Sequence, residues 1–79
     1  MKTNDLVLLT IEKMIDENGF APTVREIGKA INISSTSTIW GHLDRLKKRK
    51  LINYIPQSPR TITITKEGTD ILKILNSSK

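Results

Sequence analysis

The chain has 79 residues, a formal net charge of +5 and no cysteine. That length allows one small domain and leaves no room for a separate catalytic one, and the missing cysteine excludes disulfides, thiolate metal sites and cysteine nucleophiles. A basic chain favours nucleic acid, anionic membranes or acidic proteins, but the longest apolar run, Leu6 to Leu9, is far short of the roughly 20 residues a membrane span needs. No signal-peptide pattern opens the chain, so a cytoplasmic protein with no membrane partner is expected.

Helical periodicity runs from Asn4 to Asn18. Leu6, Leu9, Ile11, Met14 and Ile15 form the apolar face, and Glu12, Lys13, Asp16 and Glu17 the solvated one. Thr3 to Asp5 are cap candidates, and Gly19 is a natural stop. Phe20-Ala21-Pro22 is a short connection in which Phe20, the single phenylalanine, is expected to plug the core. Thr23-Val24-Arg25-Glu26 fits a capping box opening a second, short helix. Gly28 inside that helix costs about 1 kcal/mol against alanine, and close packing against the next helix would explain it. Asn32 suits a left-handed turn, and Ile33 should point inward. Ser34 or Ser35 then caps a third helix from about Thr36 to Lys50, after a gap of helix-turn-helix length.

Ile39, Leu43 and Leu46 are the buried stripe of this third helix. Ser37, Thr38, Gly41 and Arg45 lie opposite, with Trp40 at the boundary. Small polar side chains at a helix start suit a major groove, where hydroxyls meet phosphates or base edges; the bland reading is a cap and turn. Arg45, Lys47, Lys48, Arg49 and Lys50 form a basic run, suited to phosphate contact or simply to solubility. Leu51 to Ile55 and Arg60 to Thr65 read as two strands joined at Pro56-Gln57-Ser58-Pro59, which makes a β-hairpin wing. A last helix, about Thr69 to Asn76 with Thr65 as a cap, carries Ile71, Leu72, Ile74 and Leu75. These four either pack on the domain or form a dimer contact.

The predicted fold is mostly α with a small β-hairpin: a winged helix-turn-helix of three helices, a two-stranded wing and a short C-terminal helix. Residues 1–79 form a single domain, with a core over 1–65 and a helix and tail over 66–79. His42 is the single histidine and lacks the company a metal site or a catalytic triad needs. It reads as a structural or hydrogen-bonding residue. No cofactor, metal or catalytic residue is expected. Trp40 fits three readings: half-buried against the wing, a DNA contact, or a protein contact. Gly41 fits close approach to DNA or close packing against another helix.

Gly19-Phe20-Ala21-Pro22-Thr23-Val24-Arg25-Glu26-Ile27-Gly28, Ser35-Thr36-Ser37-Thr38-Ile39, Gly41-His42-Leu43, Leu51-Ile52 and Pro59-Arg60 resemble the N-terminal DNA-binding domain of the LexA family of SOS repressors, and the Gram-positive members in particular. The resemblance covers roughly residues 4 to 64. It implies a winged helix-turn-helix whose third helix enters the major groove, with two copies on a palindromic operator. The family's base-contacting stretch falls on Ser35, Ser37, Thr38, Trp40 and Gly41, and His42 and Leu43 match a supporting pair. Trp40 departs from the histidine or charged residue of similar members, and Asn32 from the usual glycine. LexA-type repressors continue into a self-cleaving serine-lysine peptidase domain; this chain ends after a short helix, so self-cleavage is not expected to transfer.

The sequence thus reads as a non-enzymatic, sequence-specific double-stranded DNA-binding regulator, of bacterial or phage type. It is expected to repress by occluding an operator, as a homodimer or on paired sites. Ser35, Ser37, Thr38, Trp40 and Gly41 would read bases. Thr36, Arg25, Arg45, Lys47, Lys48, Arg49, Gln57, Ser58 and Arg60 would meet phosphates. The rival reading is a protein-interaction winged helix that binds a regulatory protein partner, as an antirepressor would. An enzyme of nucleic-acid metabolism is disfavoured, because no nucleophile or carboxylate constellation is visible.

Overall fold

The computed structural model describes residues 2–77. Its elements are α1 (Thr3–Asn18), α2 (Val24–Ile31), α3 (Thr36–Lys48), β1 (Ile52–Asn53), β2 (Thr63–Ile64) and α4 (Lys66–Ser77). β1 and β2 pair antiparallel, Ile52 opposite Ile64 and Asn53 opposite Thr63. α1 packs on α2, α3 and α4, and the hairpin packs on α3 and α4. One core joins Val7, Leu8 and Ile11 of α1, Ile27 of α2, Ile39, Leu43 and Leu46 of α3, Leu51, Ile52 and Ile62 of the hairpin region, and Leu72 of α4. The expected winged helix-turn-helix is present. No described helix is long and apolar enough to cross a membrane.

The start of α1 differs from expectation. Thr3 to Asp5 are not caps: the cap position is Lys2, and it makes no side-chain cap bond. The polar residues tie α1 to α3 instead. Asn4 donates through Nδ2 to the His42 carbonyl at 3.1 Å, and its Oδ1 accepts from the Arg49 guanidinium at 2.7 Å. Asp5 lies 3.6 Å from the same guanidinium. The apolar face is also rotated. Val7, Leu8 and Ile11 are fully buried, whereas Leu6 is 41% exposed. Leu6 to Leu9 is apolar throughout, so periodicity could not choose which side meets the other helices.

Gly19 ends α1 in the left-handed conformation, as expected. Phe20 is not a core plug. It is 50% exposed, and the buried residue of this connection is Pro22. The capping box of α2 is complete: the Glu26 N–H donates to Thr23 Oγ1 at 3.2 Å, and the Thr23 N–H donates to Glu26 Oε1 at 2.8 Å. α2 ends with Asn32 at φ 61. The Ile33 N–H reaches back to the Gly28 carbonyl (2.8 Å) and the Asn32 N–H to that of Lys29 (3.4 Å), the paired bonds of a Schellman turn. A Cβ on Gly28 would stand 2.5 Å from the Ile33 carbonyl oxygen. Gly28 is therefore required by the turn, rather than by packing against the next helix. Ser35 caps α3, its Oγ accepting from the Thr38 N–H at 3.3 Å.

α3 closes at Lys48 and repeats the same turn. The N–H groups of Lys50 and Leu51 bond the carbonyls of Lys47 and Leu46 at 2.9 and 3.0 Å, with Lys50 at φ 62. The strands are shorter than expected because side chains replace the ladder beyond Asn53. Lys47 Nζ donates to the Tyr54 carbonyl at 3.2 Å, and the Ile55 N–H donates to Thr61 Oγ1 at 2.9 Å. α4 begins at Lys66, earlier than the expected Thr69. Thr65 caps it by accepting from the Gly68 N–H at 3.0 Å. A side chain at Gly68 would collide with the Leu51 carbonyl, so α4 is held against the α3–β1 junction.

Two glycines in helices are thus opposite in kind, since a Cβ at Gly41 would meet nothing within 4 Å. Gly28→Ala should lower stability by about 1–3 kcal/mol, because the obstacle is backbone. Gly41→Ala should raise it by about 0.5–1 kcal/mol through helix propensity. Urea unfolding of both variants checks this, and a destabilised Gly41→Ala protein would contradict it.

Candidate nucleic-acid interface

α3 is buried along Ile39, Leu43 and Leu46, so its other sides are fixed by helical geometry. Ser37, Thr38, Gly41, Asp44, Arg45 and Lys48 are all exposed and share the outward face. Trp40 and Lys47 border it on the wing side, and His42 and Arg49 on the α1 side. Asp44 was not anticipated here. It is the one acidic group on this face and pairs with Lys48 at 3.3 Å. Both partners are largely exposed, so the pair adds little to stability.

Trp40 leans on the wing. Its ring centroid is 5.5 Å from that of Tyr54, with the planes tilted by 52°. Lys47 Nζ lies 4.7 Å over the Tyr54 ring while donating to the Tyr54 carbonyl. Burial, and secondarily the charge of Asp44, push the Tyr54 phenol above its usual pKa. Of the three readings for Trp40, half-burial against the wing describes its position. The signal for this contact is the single tyrosine just after β1, which periodicity alone cannot pair with a tryptophan on a helix.

Residues from three stretches meet in a cleft of about 400 Å³ between the starts of α2 and α3 and the wing. Arg25, Thr36, Trp40, Gln57, Ser58 and Arg60 line it. Six residues chosen from sequence for DNA contact are thus brought together. The basic run is not: Arg45, Lys48 and Arg49 line a separate depression with Lys2, Asn4 and Asp5. Arg49 is bound to Asn4 and Asp5, and Lys47 to Tyr54. Arg25 and Arg45 are exposed.

The wing loop is organised by Thr61. Its Oγ1 accepts from the Ile55 N–H at 2.9 Å and lies 3.1 Å from the Ser58 carbonyl, to which it can donate. Gln57 and Arg60 both have positive φ, 63° and 59°. Ile55 is left 61% exposed, an apolar wing residue that sequence reasoning passed over. Arg60 is tied to the start of α2: its two terminal nitrogens donate to Glu26 Oε1 and Oε2 at 3.0 and 3.4 Å, and the first also donates to the Ala21 carbonyl at 3.1 Å. The guanidinium lies 4.7 Å from the Phe20 ring centroid. The Thr23 backbone N–H, and then Arg60, hold the Glu26 carboxyl below the usual range. A depressed carboxylate pKa stabilises the fold above the ordinary glutamate range, and that contribution is lost as pH falls through the lowered value.

His42 is held by Asn4, whose Nδ2 lies 3.5 Å from its Nδ1, in keeping with a structural role. Among the described residues no group of three or more His, Cys, Asp or Glu could hold a metal ion. On α4, Leu72 is 1% exposed and belongs to the domain's own core, so it is not available on an outer face. Ile71 and Leu75 are half-buried, and Ile74 is 63% exposed.

A family model described as the LexA DNA binding domain matches residues 2–61. A LexA repressor of Enterococcus faecalis is 50% identical over 68 residues, and one of Pediococcus pentosaceus 48% identical over 68 residues. Each alignment covers 86% of this chain and 32% of the relative, so the chain spans about a third of the length of the curated relatives it matches. The match reaches from the first residues of α1 into the wing and includes Arg25, Thr36, Trp40, Gln57, Ser58 and Arg60 of the cleft; on that extent, this chain belongs to the LexA DNA-binding domain family.

Proposed function

We propose that this chain is a sequence-specific double-stranded DNA-binding domain that represses transcription by occluding an operator, with α3 in the major groove. The observation that carries the reading is Gly41. It lies mid-helix on the outward face of α3, where nothing in the fold occupies the space of a side chain. A helical glycine without a packing reason costs about 1 kcal/mol against alanine. Close approach of the helix backbone to DNA supplies the reason. Ser37 and Thr38 lie on the same face, one turn N-terminal, where hydroxyls and a threonine methyl suit base edges. Ser35 takes part through its cap, and Trp40 flanks the groove from the wing side.

Arg25 and Thr36, with Gln57 and Ser58 across the cleft, are placed to grip one stretch of phosphate backbone. Arg45, Lys48 and Arg49 serve a more distant stretch. One domain of this size should bind modestly, so two copies on one site are expected. Ile74, with Ile71 and Leu75, is the α4 face through which copies would meet.

Selection from a random duplex pool at near-physiological salt should enrich a palindrome or paired half-sites. Recovery of DNA without enrichment would leave only electrostatic binding and sink the proposal. Replacing Ser37 and Thr38 together by glutamate should abolish the selection without unfolding the protein, since both side chains are exposed. Gly41→Ala should weaken binding to the selected duplex about tenfold, roughly 1.4 kcal/mol, while the protein becomes more stable. Unchanged affinity would remove Gly41 from the interface.

A further inference from the structure

We propose that Arg60 is a positioning residue: it latches the wing to the start of α2, and the placement of Gln57 and Ser58 against DNA depends on that latch rather than on a phosphate contact by Arg60. The inference rests on the DNA-binding reading above.

The wing needs such a device. Its ladder is two residues long on each strand, and Pro56 and Pro59 bring no N–H to its loop. Beyond Asn53 the loop is held by one backbone bond, from the Ser58 N–H to the Ile55 carbonyl at 3.2 Å, and by side chains, chiefly the Thr61 hydroxyl. The latch ties Arg60, in the second turn of that loop, to the helix-turn-helix. A single guanidinium meets the Glu26 carboxylate with two nitrogens, the Ala21 carbonyl, and the face of Phe20. These partners lie 34 to 40 residues away in sequence.

Exposed ion pairs are usually weak because two flexible side chains must be immobilised together. Here Glu26 is already fixed, since its Oε1 accepts the Thr23 N–H of the capping box. Phe20, half-exposed, lies against the other side of the guanidinium. The fork geometry also matters, because a lysine cannot form the paired contact. Finally, moving Arg60 to a phosphate would leave the Glu26 carboxylate unpaired beside a polyanion. Keeping the pair closed neutralises Glu26 and lets Arg25, one residue away, face the backbone.

The test compares wild type with Arg60→Lys, Glu26→Gln, the double variant and Arg60→Ala. Affinity for the selected duplex is measured across a salt series, and amide hydrogen exchange at Ile55 and Ser58 without DNA. Glutamine still accepts the Thr23 N–H, and Arg60→Lys leaves the capping box untouched, so at least one variant keeps α2 intact. The latch predicts about tenfold weaker specific binding for Arg60→Lys and for Glu26→Gln, with the wild-type salt slope. It also predicts faster exchange at Ile55 and Ser58 in both, and a double variant no worse than either single. A phosphate role predicts the reverse: Arg60→Lys near wild type, Glu26→Gln tighter, and Arg60→Ala with a salt slope smaller by about one unit. That pattern overturns the inference. If wild type selects no duplex, the DNA-binding reading fails on its own, and unchanged exchange in both variants would overturn the latch as well.

Discussion

The close approach of the Ile33 carbonyl to Gly28 is the constraint on which the rest depends. A helix-turn-helix works only if its second helix leaves the first at a set angle. Here the angle comes from two backbone bonds back onto α2 and one left-handed residue, Asn32. The turn is tight because residue 28 has no side chain. Ser35 then caps α3 and Ile39 enters the core, so the helix axis and its rotation are both determined within a few residues. Ser37, Thr38 and Gly41 face outward as a consequence: burying Ile39, Leu43 and Leu46 leaves them no other direction.

Positive charge in this domain has two employments. Thirteen Lys and Arg oppose eight Asp and Glu, which suggests a broad cationic footprint. Several of those cations hold the fold together. Arg49 joins the end of α3 to the start of α1, Lys47 fastens the wing through Tyr54, and Arg60 fastens it again through Glu26. The contacts of Arg49 and Arg60 are exposed and individually weak. Their value is geometric, because they set how the wing and α1 lie against α3. Arg25, at the start of α2, and Arg45, on the outward face of α3, are exposed, and under the DNA-binding proposal they are the cations free to meet phosphates.

Much of this was legible in sequence. Thr23 with Glu26, Asn32, Ser35 and the Ile39–Leu43–Leu46 stripe each announce a local structure whose chemistry is contained within a few residues. What failed was long-range. Phe20 looks like a core residue until Arg60 arrives from 40 positions away to cover its ring. Leu6 to Leu9 is apolar all round, so only the positions of α2, α3 and α4 decide that Val7 and Leu8 go inside. The strands are shorter than Leu51–Ile55 and Arg60–Thr65 suggest, because Lys47 and Thr61 supply the bonds that a longer ladder would make. Gly68 carried a readable signal: a glycine in the first turn of a capped helix marks a passing backbone, here Leu51.

Gly41 and Gly28 show why function can be read from a residue that touches nothing. A glycine in a helix is a local weakness. At position 28 the fold itself answers for it, because alanine would strike the turn. At position 41 the fold supplies no answer, and the same chain that packs eleven side chains into one core leaves this helix weaker than alanine would. Trp40, immediately before it, packs its ring on Tyr54 of the wing. The outward face of α3 is therefore both braced against the wing and locally stripped of side-chain bulk. A solvated surface has no use for that combination, since water is indifferent to a missing methyl. Under the DNA-binding proposal, close approach of the helix backbone to a rod-like duplex accounts for it.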